Sequence, residues 1–162
     1  MKNIILILIG IFIIIIENSI VNYIDIFNMS LNICIVYVSI ISLFVKRNEG
    51  ALIGLILGLL KDILIGKIIG VNALIFFVIG YLYGILQDKI FKDSVTTILI
   101  LAFFSSVFEF FINFLLLKSL FANEKILFSF IKGVIFIPVL NTVFALVIYK
   151  VLIDFVKKID NI

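Results

Sequence analysis

The chain has 162 residues, 65% hydrophobic and only 14% charged, too little charged surface for a domain dissolved in water, so lipid is its solvent. The formal charge of +3 comes from scattered lysines with Arg47 as the sole arginine and no run of five like charges, which leaves a nucleic-acid partner without support. With no histidine and one cysteine, Cys34, the sequence excludes Cys/His metal sites, disulfide frameworks and a Ser/His triad built on Ser105 or Ser106, and it calls for no cofactor.

A helix needs ~20 apolar residues to cross a ~30 Å hydrocarbon core at ~1.5 Å per residue. Six apolar segments approach that length and predict an all-α integral membrane protein, a six-helix transmembrane bundle forming a single domain over residues 1–162. The first covers 3–23. Met1-Lys2-Asn3 and the apolar run after it resemble a signal peptide, but the first alanine is Ala51 and no small-residue cleavage pair follows, so this segment reads as a retained helix. The second and third, 30–46 and 50–65, and the fourth, 71–87, are short and close together, which leaves a merged or re-entrant arrangement of 50–87 open. The fifth covers 94–118 and the sixth 128–153.

Seven of the nine glycines fall between Gly50 and Gly84. Gly50, Gly54 and Gly58 recur every four residues and so share one helix face; Gly80 and Gly84 do the same one helix later, and together they predict a closely packed helix pair. Between the two helices, Gly66 and Gly70 permit a tight turn. Asn72 is placed to cap the fourth helix, and Asp62 either to do the same or to bond Lys61 or Lys67.

Lysine and arginine counts at the loops set the orientation. With the amino terminus inside, Lys2, Lys46, Arg47, Lys89, Lys92, Lys150, Lys157 and Lys158 are cytoplasmic and Lys61, Lys67, Lys118, Lys125 and Lys132 are outside, eight against five. This predicts a membrane protein with both termini in the cytoplasm.

Ionisable residues within a span are costly and are functional candidates by default. Glu17 and Glu109 qualify, each in the outer half of the bilayer. Asn113 shares the helix face of Glu109, four residues on, and Pro138 and Asn141 lie at comparable depth in the sixth helix. These five predict an intramembrane polar pocket among the first, fifth and sixth helices. The alternative has Glu17 ending its helix at the headgroups and Glu109 held neutral by Asn113. The ring of Phe103, Phe104, Phe108, Phe110, Phe111 and Phe114 reads as packing and lipid contact, and Tyr23 and Tyr149 as interfacial anchors.

The run Gly50-Ala-Leu-Ile-Gly54-Leu-Ile-Leu-Gly58-Leu-Leu-Lys-Asp62, the loop Gly70-Val-Asn72-Ala73-Leu74 and the helix containing Gly80-Tyr81-Leu-Tyr-Gly84 resemble the signature of the MreD family of rod shape-determining proteins. In that family a glycine-spaced helix ends in a leucine pair and an aspartate, followed by a Leu-Gly-Xaa-Asn-Ala-Leu loop; Ile69 stands here for the first leucine. The resemblance covers roughly a quarter of the chain, with length and segment number agreeing over the rest. It implies a non-enzymatic membrane scaffold for cell-shape control and peptidoglycan synthesis. The implied partners are a bitopic MreC-like protein and, indirectly, MreB, RodA and a class B penicillin-binding protein. It also implies a fold shared with substrate-binding subunits of energy-coupling-factor transporters, so the rival reading is a vitamin-type binding subunit. The first helix, however, lacks the alanine seam of those subunits. A membrane enzyme acting on lipid-linked precursors would need polar residues converging on one face, which only Asp62 with Lys61, and Glu109 with Asn113, approach.

Overall fold

In the computed structural model the backbone is described for residues 2–19, 31–66, 68–87, 89–90, 94–120 and 126–160, and the side chains of these except 117–120, 126–133 and 153–160. Tyr23, Lys67, Lys92, Lys118, Lys125, Lys132, Lys157 and Lys158 therefore lie outside the described side chains. Six helices follow one another: α1 (Lys2–Ser19), α2 (Ile33–Ile41), α3 (Arg47–Leu64), α4 (Val71–Leu86), α5 (Val95–Leu120) and α6 (Ile126–Asp160). Three stretches are long and apolar enough to cross a membrane, Lys2–Ser19, Val95–Leu116 and Val134–Leu152; Val71–Leu86 is a shorter apolar helix. The described residues form an all-helical membrane protein.

Helix α2 occupies the centre. It packs on all five other helices, while α1 lies on α3, α3 on α4, α4 on α5 and α5 on α6 around it. Its nine residues span about 13 Å, well short of a hydrocarbon core. The helix stops at Ile41 because the backbone tightens into turns, with Leu43 N–H donating to Ile40 O and Phe44 N–H to Ile41 O. Such a short helix leaves its orphan backbone groups inside the protein, and each must find a partner. At the carboxyl end Lys2 Nζ donates to Phe44 O at 3.1 Å, and midway Tyr37 Oη donates to Leu6 O at 2.6 Å. These bonds set α2 antiparallel to α1, with residues Cys34 to Ile41 almost wholly buried.

Helices α3 and α4 are separate elements joined by a turn, and they form the closest pair in the molecule. A Cβ on Gly58 would lie 2.5 Å from Ala73 Cα, and one on Gly50 would lie 2.8 Å from Gly80 O. Cβ atoms on Gly54, Gly80 and Gly84 would collide in the same way with the backbones of Phe76, Gly50 and Arg47. All five spaced glycines thus face the partner helix, and backbone meets backbone along its whole length. In lipid, where apolar side chains gain little by leaving their solvent, this close approach is a main source of association. A sixth glycine outside the motif, Gly10, lets α1 approach Leu57 on α3.

The outward faces are apolar. Ile4, Leu8 and Phe12 on α1, Phe104 and Phe111 on α5, and Val143, Val147 and Val151 on α6 are exposed, as expected of surfaces in contact with lipid. Tyr149 belongs instead to the core, 6% exposed, which corrects the expectation of an interfacial anchor there.

Candidate functional site

The turn after α3 is organised by one carboxylate. Gly70 has φ +100°, a left-handed conformation that glycine adopts without strain, and it offers no side chain to cap α4. Asp62, 1% exposed near the end of α3, supplies the cap from outside the helix. Its Oδ2 accepts from Gly70 N–H at 2.9 Å and Ala73 N–H at 3.1 Å, and its Oδ1 from Asn72 N–H at 3.2 Å and Asn72 Nδ2 at 2.8 Å. Asn72 is therefore a donor to the cap rather than the cap itself. The carboxylate sits at the positive end of the α4 dipole, which favours its charge. Gly66, whose N–H donates to Asp62 O, leaves room where a Cβ would strike Asp62 Cα. Asp62→Ala, which deletes all four acceptor contacts, is expected to destabilise the protein by about 2–4 kcal/mol, and Asp62→Asn by roughly half as much because one acceptor oxygen survives. Thermal denaturation of the purified variants measures both; equal stability of Asp62→Ala and the parent would show that the cap is dispensable.

Lys61, one residue earlier, is a buried member of α3 and no loop charge. Its Nζ donates to Glu17 Oε1 at 2.6 Å and to Asn32 Oδ1 at 2.5 Å, and it lies 5.8 Å from the centre of the Phe76 ring, on whose face a cation is attracted. Glu17 uses its second oxygen, Oε2, to accept from Cys34 N–H at 2.8 Å. Asn32 is the N-cap of α2, with Oδ1 accepting from Ile35 N–H at 3.1 Å. The short central helix thus begins on a carboxylate from α1 and on its own asparagine.

From Asn32 the network continues into the last two helices. Asn32 Nδ2 donates to Glu109 Oε1 on α5, and Asn32 N–H donates to Asn141 Oδ1 on α6 at 3.2 Å. Asn141 Nδ2 then donates to Ser106 Oγ at 3.0 Å. A second polar layer lies nearer the Arg47 end, where the Ser39 and Ser105 hydroxyls are 2.7 Å apart, Ser105 and Tyr83 2.8 Å apart, and Tyr83 Oη donates to Leu101 O.

Of the five residues expected to form a polar pocket, three meet in this network: Glu17, Glu109 and Asn141, at 2%, 9% and 0% exposure. They bond a shared asparagine, or a lysine bonded to it, and do not line an open groove. Glu17 is enclosed by α2 and α3 near the end of α1. Asn113 is half-buried and makes no hydrogen bond to the network, and Pro138 is a buried helix residue whose carbonyl accepts from Thr142 Oγ1 at 2.6 Å. Glu17 and Lys61 lie about 21–23 Å along their helices from Lys2 and Arg47, and Glu109 about 21 Å from Val95, so all three share one level of the bundle.

Two members of the network escaped sequence reasoning. Asn32 carries an N-cap signal, an asparagine directly before an apolar helical run, that a hydropathy window starting at residue 30 conceals. Lys61 and Asp62 continue the spacing of Gly50, Gly54 and Gly58 by one further turn and so belong to the same buried face. Among the described residues no group of three or more Cys, Asp or Glu side chains is arranged to hold a metal ion.

The fold and the buried network define an integral membrane bundle with an internally bonded polar layer. The family model for rod shape-determining protein MreD matches residues 1–159. The chain belongs to the MreD family, and its role is in rod-shape determination. Comparison with curated proteins and with solved structures gave no match.

Proposed function

We propose that this chain is a membrane scaffold subunit of the bacterial cell-elongation machinery, which holds a bitopic MreC-like partner and thereby supports peptidoglycan synthesis and cell-shape control. The observation that carries this reading is the family match over nearly the whole chain. The glycine-packed α3/α4 pair supports it, since a rigid centre is what a platform for partner helices requires. Exposed apolar faces on α1, α5 and α6 offer surface at lipid depth for a single helix of a partner, with packing and a few hydrogen bonds of about 0.6–2 kcal/mol each as the source of affinity. MreB, RodA and a class B penicillin-binding protein belong to the same assembly and would be reached through the MreC-like partner.

The orientation with both termini in the cytoplasm of a plasma-membrane protein is part of the proposal. Burial of Lys61 in α3 removes one positive charge from the outer loops and strengthens the loop bias. Against the rival reading of a vitamin-type transporter subunit stands the internal use of the polar groups: Lys61 bonds both Glu17 and Asn32, and Glu17 also accepts from Cys34 N–H, so these side chains are engaged within the bundle.

The test is depletion in a rod-shaped host together with affinity purification. Rounded cells and co-purification of an MreC-like protein are the expected results. Unchanged rods with no partner on pull-down would reject the scaffold, and a stoichiometric vitamin in equilibrium binding would favour the rival.

A further inference from the structure

The buried network is unbalanced in charge. Glu17 has both oxygens engaged by donors, Lys61 Nζ on one and Cys34 N–H on the other, which is the bonding of an ionised carboxylate. Lys61 donates to that carboxylate and to Asn32 Oδ1, the bonding of an ammonium, so these two charges cancel. Glu109 is a second carboxyl on the same level. The groups facing it are Asn32 and the Cys34 thiol from α2, Lys61 from α3 and Glu17 from α1, with the neutral Asn141 and Ser106 on the side of α6 and α5. The one ammonium among them is already bonded to Glu17. Asn32 cannot turn to offer a second donor, because Lys61 and Ile35 N–H hold its Oδ1 and leave only Nδ2 toward Glu109. An ionised Glu109 would therefore add an uncompensated negative charge in a low-dielectric interior, a costly arrangement.

We propose that Glu109 is a proton-binding site, its carboxyl holding one proton on Oε2 whenever the α5/α6 hairpin is seated on α2. Uptake converts the carboxylate and one proton from water to the neutral acid. Oε1 remains a carbonyl oxygen and keeps the hydrogen bond from Asn32 Nδ2. Asn32 is the joint of the device, since it bonds Lys61 on the α3 side and Glu109 and Asn141 on the α5 and α6 side. Loss of the proton places a charge at that joint and unseats the hairpin. The inference depends on the geometry of this network alone and stands apart from the scaffold role.

The two glutamates give opposite outcomes in one experiment on the full chain in neutral-lipid nanodiscs at pH 7. Infrared spectroscopy of the parent is expected to show the C=O band of a protonated carboxyl, lost in Glu109→Gln and retained in Glu17→Gln. Glu109→Gln preserves the charge balance and is expected to unfold within about 2 °C of the parent, whereas Glu17→Gln strands Lys61 and is expected to lose about 6 °C or more. A parent without the band, a band that survives Glu109→Gln, or Glu109→Gln as unstable as Glu17→Gln would each overturn the proposal. If Glu17→Gln does not fold, the Glu109→Gln spectrum and melting temperature decide alone. Exchange of sodium and potassium for choline at constant ionic strength is expected to change nothing; destabilisation of the parent but not of Glu109→Gln would assign the site to a monovalent cation and reject the proton.

Discussion

Lys61→Met is expected to destabilise the protein by about 3–5 kcal/mol, the largest effect of any single side-chain replacement in the network. Methionine fills the volume of the lysine stem, so little of the loss arises from packing. The loss comes from Glu17, buried at 2% exposure in the parent, which is left with only the Cys34 N–H as a donor and no counter-ion. Asn32 also loses the ammonium that fixes its amide. The decisive comparison is the double variant Glu17→Leu/Lys61→Met. Removing both charges removes the desolvation cost together with the attraction, and replacing a whole buried pair by apolar groups is often neutral. The double variant is therefore expected to recover more than half of what Lys61→Met loses. Chemical or thermal denaturation of the parent, both single variants and the double variant in one lipid environment gives the coupling. Additive losses would mean that the 2.6 Å contact contributes nothing beyond its two halves.

The second large effect concerns the α3/α4 pair and is best seen as a contrast between two glycines. Gly54→Ala is expected to cost about 2–3 kcal/mol, because the new methyl meets the backbone carbonyl of Phe76 and the helices have to separate. Separation also loosens Gly50 against Gly80 and Gly58 against Ala73, since all three contacts lie on one rigid face. Gly10→Ala introduces the same methyl and also meets an occupied position, but the obstacle is the end of the Leu57 side chain. A leucine rotamer can adjust where a carbonyl cannot, so a cost under about 1 kcal/mol is expected. Melting temperatures of the two variants test the pair directly. Equal losses would show that α3 and α4 can slide apart as easily as Leu57 can turn. In cells, Gly54→Ala is also expected to lower the amount of folded protein more than Gly10→Ala, measured by immunoblot of membranes.

A good part of this was legible in the residues themselves. Four-residue glycine spacing permits only one interpretation on a helix, a shared face, and in lipid a shared face of glycines is a packing face. Glu17, Glu109 and Asn141 were conspicuous for a similar reason: polar groups inside apolar runs are expensive, so each must have a partner. Partner choice was another matter. Asn113 sits one turn from Glu109, the local partner that helical periodicity nominates, yet the carboxyl bonds Asn32, far away in sequence. Asn72 carries the side chain that a capping rule selects, yet the cap comes from Asp62, a helix earlier. For Glu109 the deciding contact is long-range and no local pattern encodes it, whereas the Asp62 cap was one of two readings the turn left open and the packing selected it.

Helix α2 shows the same division. Its apolar run continues to Val45, so hydropathy extends the element over 30–46, while the backbone stays helical only from Ile33 to Ile41. The helix can be that short because its ends are served by other helices, through Glu17 at one end and Lys2 at the other. The sequence by itself determined that this is a membrane bundle, which two helices touch backbone to backbone, and which side chains are too polar to face lipid, since solvent and periodicity decide those questions residue by residue. The packing of the whole bundle was needed to show that Lys61 is an internal counter-ion, that Asp62 rather than Asn72 caps α4 and that Asn32 joins the two sides of the bundle. A charge buried in hydrocarbon is satisfied by whatever the packing brings within about 3 Å, and that partner is a property of the whole fold.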